Sequence, residues 1–275
     1  MSAVPQAVAT DLPTHRVRWR WGTRALLAFL LLGMMSAWLG QDPAIQNLNQ
    51  TLSAPGTAHW LGTDHLGRDF LARLGEAVRV SFWLALGSAL LAVALGTVLG
   101  LWAAWQRGLA DRLLCLCADG VAAIPGLLWV LLVAALAPGQ KWALYSGLVL
   151  TAWVEFFRLV RSRACLTLAG DAVQAGHLLG FGAHYLLRWH VLPPLQADLL
   201  RLWSYAVANA VLAVAALGFV GVGLRPPTAE LGLMMTEALP YYDEAPWLLA
   251  GPVLLLVLVV AALQSATRSH WKDPT

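Results

Sequence analysis

Six stretches of this chain are long and apolar enough to be read as membrane-crossing helices, at about Arg24–Gly40, Val78–Trp105, Leu113–Ala137, Trp142–Val160, Leu199–Leu224 and Trp247–Gln264. A hydrocarbon core about 30 Å thick takes roughly 20 mainly apolar residues as a helix. The first stretch is the shortest, with Trp21 and Trp38 placed to anchor its ends. It follows a head of more than twenty residues and no small-x-small site, so it reads as an uncleaved span rather than a signal peptide. The second is overlong and is expected to tilt or to extend into water. Asp119 and Pro125 interrupt the third, where Pro125 predicts a kink.

Composition agrees. Apolar types make up 59% of the 275 residues, charged types 12%, and mean hydropathy is +0.65. A soluble domain carries about 25% charged residues, and disorder needs low hydrophobicity. The only lysines, Lys141 and Lys272, lie outside any Gly-rich loop, so there is no Walker A phosphate loop. Neither HExxH nor GxSxG occurs, which removes the common signatures of a membrane-embedded enzyme. No inverted repeat points to a self-sufficient secondary transporter or channel. Cys115, Cys117 and Cys165 give no disulfide framework. Cys115 and Cys117 are read as small buried hydrophobes rather than a metal site.

Orientation follows from the basic residues. With the N-terminus in the cytoplasm, 13 of the 18 Lys and Arg residues fall inside and 5 outside. Both termini are then cytoplasmic. The pI near 9.0 reflects this bias rather than a nucleic-acid partner. The 226–246 loop, with Glu230, Glu237, Asp243 and Glu244 and no base of its own, lies outside.

Two polar loops are longer than a hairpin needs. The outer one, about 41–77, holds the dense cluster Leu61-Gly62-Thr63-Asp64-His65-Leu66-Gly67-Arg68-Asp69. Asp64, Arg68 and Asp69 either contact another protein or brace their own turn with surface ion pairs of little energy. His59 and His65 beside Asp64 match no recognised metal-ligand spacing, and no metal site is expected. The inner loop, 161–198, reads as two short helices. Asp171 caps the first and pairs with Gln174 in a capping-box-like arrangement. Ala172, Ala175 and Leu179 then share a face, and Gly180 and Gly182 end the helix. A second helix, about Ala183–His190, is expected to stop before Pro193-Pro194. Periodicity alone fits either a docking knob for a cytoplasmic partner or a helix lying on lipid. Asp119, about 10 Å deep at 1.5 Å per residue, is an intramembrane functional candidate or a bond within the helix bundle. Glu155 and Arg158 are spaced to pair on the fourth span. Gly96 and Gly100 form a GxxxG stripe suited to close packing.

The outer cluster, with Arg73 after it, resembles the GTDxxGRD signature of one of the two permease subunits of peptide/nickel ABC importers. The inner loop resembles the EAA motif of importer permeases in Gln174-Ala175-Gly176, Leu179-Gly180 and His190-Val191-Leu192-Pro193. Trp153, Arg158, Arg161, Asp119, Pro125, Leu217–Gly223 and Pro227-Thr228 match in order, so the resemblance runs over about 55–264. Four positions depart from it. Gln174 replaces a glutamate and Gly176 an alanine, Trp189 stands where a base is common, and Leu231 where tryptophan is common.

The resemblance implies an all-α protein with six transmembrane helices in the type I ABC importer permease fold, in the bacterial cytoplasmic (inner) membrane. It divides the chain into a cytoplasmic tail (1–20), the first span and outer loop (21–77), a transmembrane core (78–265) and a final tail (266–275). It implies a second permease, two ATPase subunits that bind the ATP and magnesium, and an extracytoplasmic binding protein. The chain itself then needs no cofactor and is no enzyme. ATPase coupling falls to Gln174, Ala175, Gly176, Leu179, Gly180 and Pro193, and the outer-loop motif to Gly62, Thr63, Asp64, Gly67, Arg68 and Asp69. The solute is a small peptide, nickel or a metal chelate, and the likeness around His59–Asp69 leans towards the latter two.

Overall fold

The computed structural model describes residues 42–268. The expected span at Arg24–Gly40, the tail before it and the end of the C-terminal tail lie outside the described residues. Every regular element among those described is helical, apart from one isolated antiparallel bridge between Thr63 and Asp69.

The first long helix, α1 (Phe70–Gln106), has 37 residues and is about 55 Å long at 1.5 Å per residue. It starts at Asp69, whose carboxylate accepts the Ala72 N–H at 2.8 Å. It ends where Arg107 and Gly108 take positive φ and turn the chain back. Then come α2 (Gly108–Ala122), α3 (Gly126–Leu136) and α4 (Lys141–Leu168). A short helix, α5 (Asp171–Leu178), precedes a helical run of 37 residues, α6 (Ala183–Phe219). A second short helix, α7 (Leu231–Ala238), leads to α8 (Pro246–Arg268). Four of these, α1, α4, α6 and α8, are long and apolar enough to cross a membrane.

The expected third span is not one kinked helix. The α2–α3 pair bends by 81° at Ala123–Pro125 and counts as a fifth span only if the broken pair is taken as one. Pro125 supplies no N–H and disfavours the helical region for the residue before it, so the hydrogen-bond ladder ends there. The α2 helix lies on the outside of the described chain. Cys117 is therefore exposed and Cys115 only half-buried, not buried as expected.

Small residues set the packing of α1 on α4. Ala89, Ala92, Gly96, Gly100 and Ala103 form the buried side of α1, against Phe156, Phe157 and Val160. A Cβ at Gly96 would sit 2.7 Å from the Trp153 carbonyl oxygen, and one at Gly100 would sit 2.9 Å from Val160 Cβ. The GxxxG stripe is thus consumed within the chain. Between apolar helices in lipid, such backbone approach replaces the hydrophobic drive that water supplies elsewhere. Alanine at Gly96 should lower the thermal unfolding midpoint of the detergent-purified chain, at an overpacking cost of about 1–3 kcal/mol. Alanine at Gly120, which meets open space, should leave it unchanged or raise it.

Two satellite cores mark the ends of the bundle. Phe70, Leu74, Met234, Ala238 and Leu248 join the start of α1 to α7 and α8. Ala104, Val160, Ala164, Val191 and Leu195 join the other end of α1 to α4 and α6.

Candidate functional site

The six outer-loop motif residues come together, and their side chains are not at the surface. Gly62 and Gly67 take φ of +77° and +70°, which glycine adopts without strain. Gly67 is packed on the Asn47 backbone so closely that no side chain fits. Thr63 is buried, and its hydroxyl accepts the Ser53 N–H at 2.9 Å and donates to the Gln50 carbonyl. Asp64 Oδ1 accepts the N–H groups of Leu66 and Arg68 at 2.8 and 2.9 Å. Its Oδ2 takes Arg68 Nε at 2.6 Å and Arg73 Nη1 at 2.7 Å. Arg73 Nη1 also reaches Glu237 at 2.8 Å, and Arg68 Nη2 lies 3.5 Å from the same carboxylate. Both arginines are only 2% exposed.

This corrects the expectation of weak surface pairs. Two guanidinium groups and two carboxylates are closed off together, and Arg73 Nε and Nη2 have no acceptor among the described residues. Glu237, 164 residues from Arg73, has no sequence spacing that links it to the motif. The one available signal was complementarity: an acidic loop without a base, opposite two arginines assigned to the same side. Asp69 caps α1 and also holds His59 Nδ1 at 2.8 Å. His65 stacks on Tyr241. Among the described residues no three His, Cys, Asp or Glu side chains gather as a metal site.

Burial pushes the Asp64 carboxyl up, but the Arg68 N–H and the Arg73 and Arg68 guanidinium groups outweigh it and hold it below the usual value. Glu230, missed by sequence reading as a structural residue, is fully buried and caps α7 by accepting the Gly232 and Leu233 N–H groups at 3.0 Å. Burial pushes its carboxyl from 4.5 up to about 7.

At the other end of α1, helix α5 forms over the inner motif. Gly170, not Asp171, occupies its N-cap, and no capping box closes. Gln174 Nε2 instead donates to the Ala169 carbonyl at 2.9 Å, a contact that a glutamate could not make as a donor. Gly180 at φ +82° ends the helix as expected. The Gly180 N–H donates to the His177 carbonyl and the Phe181 N–H to Gly176, both at 3.0 Å, which is a Schellman cap. Val173 and Gly176 face inward, and a Cβ at Gly176 would meet Leu186 at 2.7 Å. Ala172, Gln174, Ala175 and Leu179 face outward. Leu178 and Leu179 are 90% and 75% exposed, beside a run of ring contacts from Phe181 through Tyr185 to Trp189. His177 contacts Trp105, fixing α5 to the end of α1.

Pro193 lies outside this knob. The expected stop before it does not occur, because the helix widens to a π-turn over Leu187–Val191 and continues. The Leu192 N–H bonds back to the Leu187 carbonyl, and the wider turn accommodates two prolines that have no N–H to donate.

Asp119, on α2 just before the break, accepts Arg158 Nη2 at 2.7 Å. Arg158 therefore pairs across helices, not with Glu155 as expected. A cavity of about 400 Å³ lies beside this pair, between α1, the α2–α3 break, α4 and α6. Its polar lining is Ser88, Thr151, Glu155, Arg158 and Asn209.

The family described as "Binding-protein-dependent transport system inner membrane component" matches residues 96–269. The di/tripeptide transport system permease protein DppC of Pseudomonas aeruginosa (strain UCBPP-PA14) is 34% identical over 253 residues, covering 88% of this chain and 82% of that protein. The nickel transport system permease protein NikC of Escherichia coli (strain K12) is 33% identical over 260 residues, covering 91% and 94%. A chain of the MetNI methionine ABC transporter, in an inward-facing crystal form, superposes with a TM-score of 0.52 at 19% identity, covering 70% of this chain and 93% of that one. That likeness bears on the fold alone.

Two outcomes test the buried carboxylates at this end of the bundle. Asp64→Asn leaves two buried arginines facing one carboxylate and should cost about 3–5 kcal/mol of stability, read as a lower unfolding midpoint. Glu230 has a raised carboxyl, so its stabilising share is complete below pH 4.5 and is lost as pH rises through about 7. Thermal unfolding at both ends of that window should show Glu230→Gln removing a decline of roughly 3 kcal/mol.

Proposed function

Because the chain belongs to the family of inner membrane components of binding-protein-dependent transport systems, we propose that it forms half of the translocation pathway of an ABC importer. The other half is a second permease. Two cytoplasmic ATPases drive the cycle and bind the ATP and magnesium, and an extracytoplasmic binding protein delivers the solute. The cargo is a small peptide, nickel or a metal chelate. The span at Arg24–Gly40 completes a set of six in the type I importer permease arrangement, and both termini lie in the cytoplasm. The chain hydrolyses nothing itself.

The observation that carries this reading is the layout along α1. The buried Asp64–Arg68–Arg73–Glu237 network lies at one end. The exposed apolar face of α5 lies at the other, held by the Trp105–His177 contact. An apolar knob on a polar face is a partner-binding feature, and the excess of basic residues supports a cytoplasmic position for that end. Ala175, Gly176 and Gly180 keep the knob slim enough to enter a groove, and Leu178 and Leu179 supply the surface that a groove would bury. Gln174 supports the helix by its bond to Ala169 rather than contacting the ATPase through a charge. In this reading, closing of the ATPases on ATP moves α5, and its cap and ring contacts pass the movement to α1 and α6.

Gly180→Asp tests the reading. The substitution places bulk and charge at a positive-φ turn on the docking face. Radiolabelled solute uptake should fall at least about tenfold, the loss of one well-packed interface contact of 1.4 kcal/mol or more, with unchanged membrane abundance. Uptake at the wild-type rate would remove the docking role.

A further inference from the structure

The cavity beside the α2–α3 break carries an unusual combination of satisfied and unsatisfied polar groups. The Ser88 hydroxyl donates to the Ala85 carbonyl and that of Thr151 to the Leu148 carbonyl, so both are committed to their own helices. Arg158 is neutralised by Asp119 at 2.7 Å. Glu155 and Asn209 are different. Neither side chain has a hydrogen-bond or ion-pair partner among the described residues, and both line the cavity. On α4 the residues flanking Glu155, namely Trp153, Val154, Phe156 and Phe157, are buried in the helix packing, while Glu155 is open. A carboxylate at membrane depth without a counter-charge is costly, and such groups are retained where they meet a ligand, an ion or a proton.

We propose that Glu155, assisted by the Asn209 amide, receives the α-ammonium group of a short peptide as the solute passes this cavity. The proposal rests on the importer function given above. A volume of about 400 Å³ falls within the roughly 300–1,000 Å³ of small-molecule sites and accommodates a di- or tripeptide. The charge balance fits a single positive group, because the Arg158–Asp119 pair cancels and Glu155 remains. The chemistry fits an ammonium better than a bare divalent metal. An ammonium is held by one carboxylate and neutral oxygen acceptors. Nickel is suited by imidazole ligands, and no group of three or more His, Cys, Asp or Glu side chains gathers among the described residues.

The test uses the complete importer, with both permeases, both ATPases and the binding protein, reconstituted in lipid. Equilibrium binding of radiolabelled dialanine and of N-acetyl-dialanine is measured on the complex freed of binding protein, and uptake of dialanine and of Ni²⁺ is measured on the whole assembly. The wild-type complex should bind dialanine and discriminate against the acetylated form. Glu155→Gln should weaken dialanine binding about tenfold or more, the value of one charge-assisted bond. Glu155→Asp, which keeps the charge, should recover most of it, which a merely structural role would not predict. Equal dialanine binding by wild type and Glu155→Gln, or equal binding of both peptides by wild type, would overturn the assignment. Uptake of Ni²⁺ but not dialanine would overturn the ammonium while leaving the importer reading intact. Uptake of neither by the wild-type assembly would count against the importer reading for these solutes, and with it against this inference.

Discussion

The close approach of α1 and α4 through Gly96 and Gly100 is the constraint on which the rest of the structure depends. Lipid offers helices no hydrophobic reason to associate, so contact has to come from matching surfaces. A stripe of alanine and glycine on α1 lets the backbone of α4 come near, and Phe156, Phe157 and Val160 fill the remaining space. The two helices then pack closely along α1, which is about 55 Å long. One end reaches the outer loop and the other reaches α5.

The two ends are built from opposite chemistry, and each fits its surroundings. The end of α1 at Asp64, Arg68 and Arg73 keeps its charges buried. Arg68 and Arg73 bind Asp64 within the loop and Glu237 on α7, so two segments far apart in sequence become one cap. Such a buried network adds little stability over apolar packing but penalises any arrangement that leaves one of its charges alone. The end at α5 does the reverse and turns leucines and aromatic rings outward on a helix that Gly180 terminates sharply. The first is suited to holding a shape, the second to being covered by another protein.

Much of this was legible in sequence for a physical reason. Apolar runs of 20 or more residues have few alternatives to helices in lipid, and the described spans fall where the runs do. Gly180 was readable because a helix that must turn at once needs a positive φ. Partners set by tertiary geometry were not readable. The i,i+3 spacing of Glu155 and Arg158 pointed to a pair, yet Asp119 on another helix lies closer to the guanidinium. Pro193 was expected to end a helix, but a π-turn makes room for it, and local rules do not anticipate a widened ladder. Charge complementarity between its loop and the two arginines was the one hint of Glu237 as a network member, since nothing in its neighbours along the chain distinguishes it from a solvated acid. The 81° bend at Pro125 exceeded the kink that a lone proline announces.

In the proposed arrangement α5 is a cytoplasmic knob covered by a motor subunit. A single cysteine at Leu179, in a chain whose Cys115, Cys117 and Cys165 are replaced by serine, can be probed with a membrane-impermeant maleimide in sealed vesicles of both orientations. Labelling is expected only from the cytoplasmic side, with protection of that cysteine when the ATPase subunits are bound. Labelling from the outer side, or undiminished labelling in the assembled complex, would contradict it.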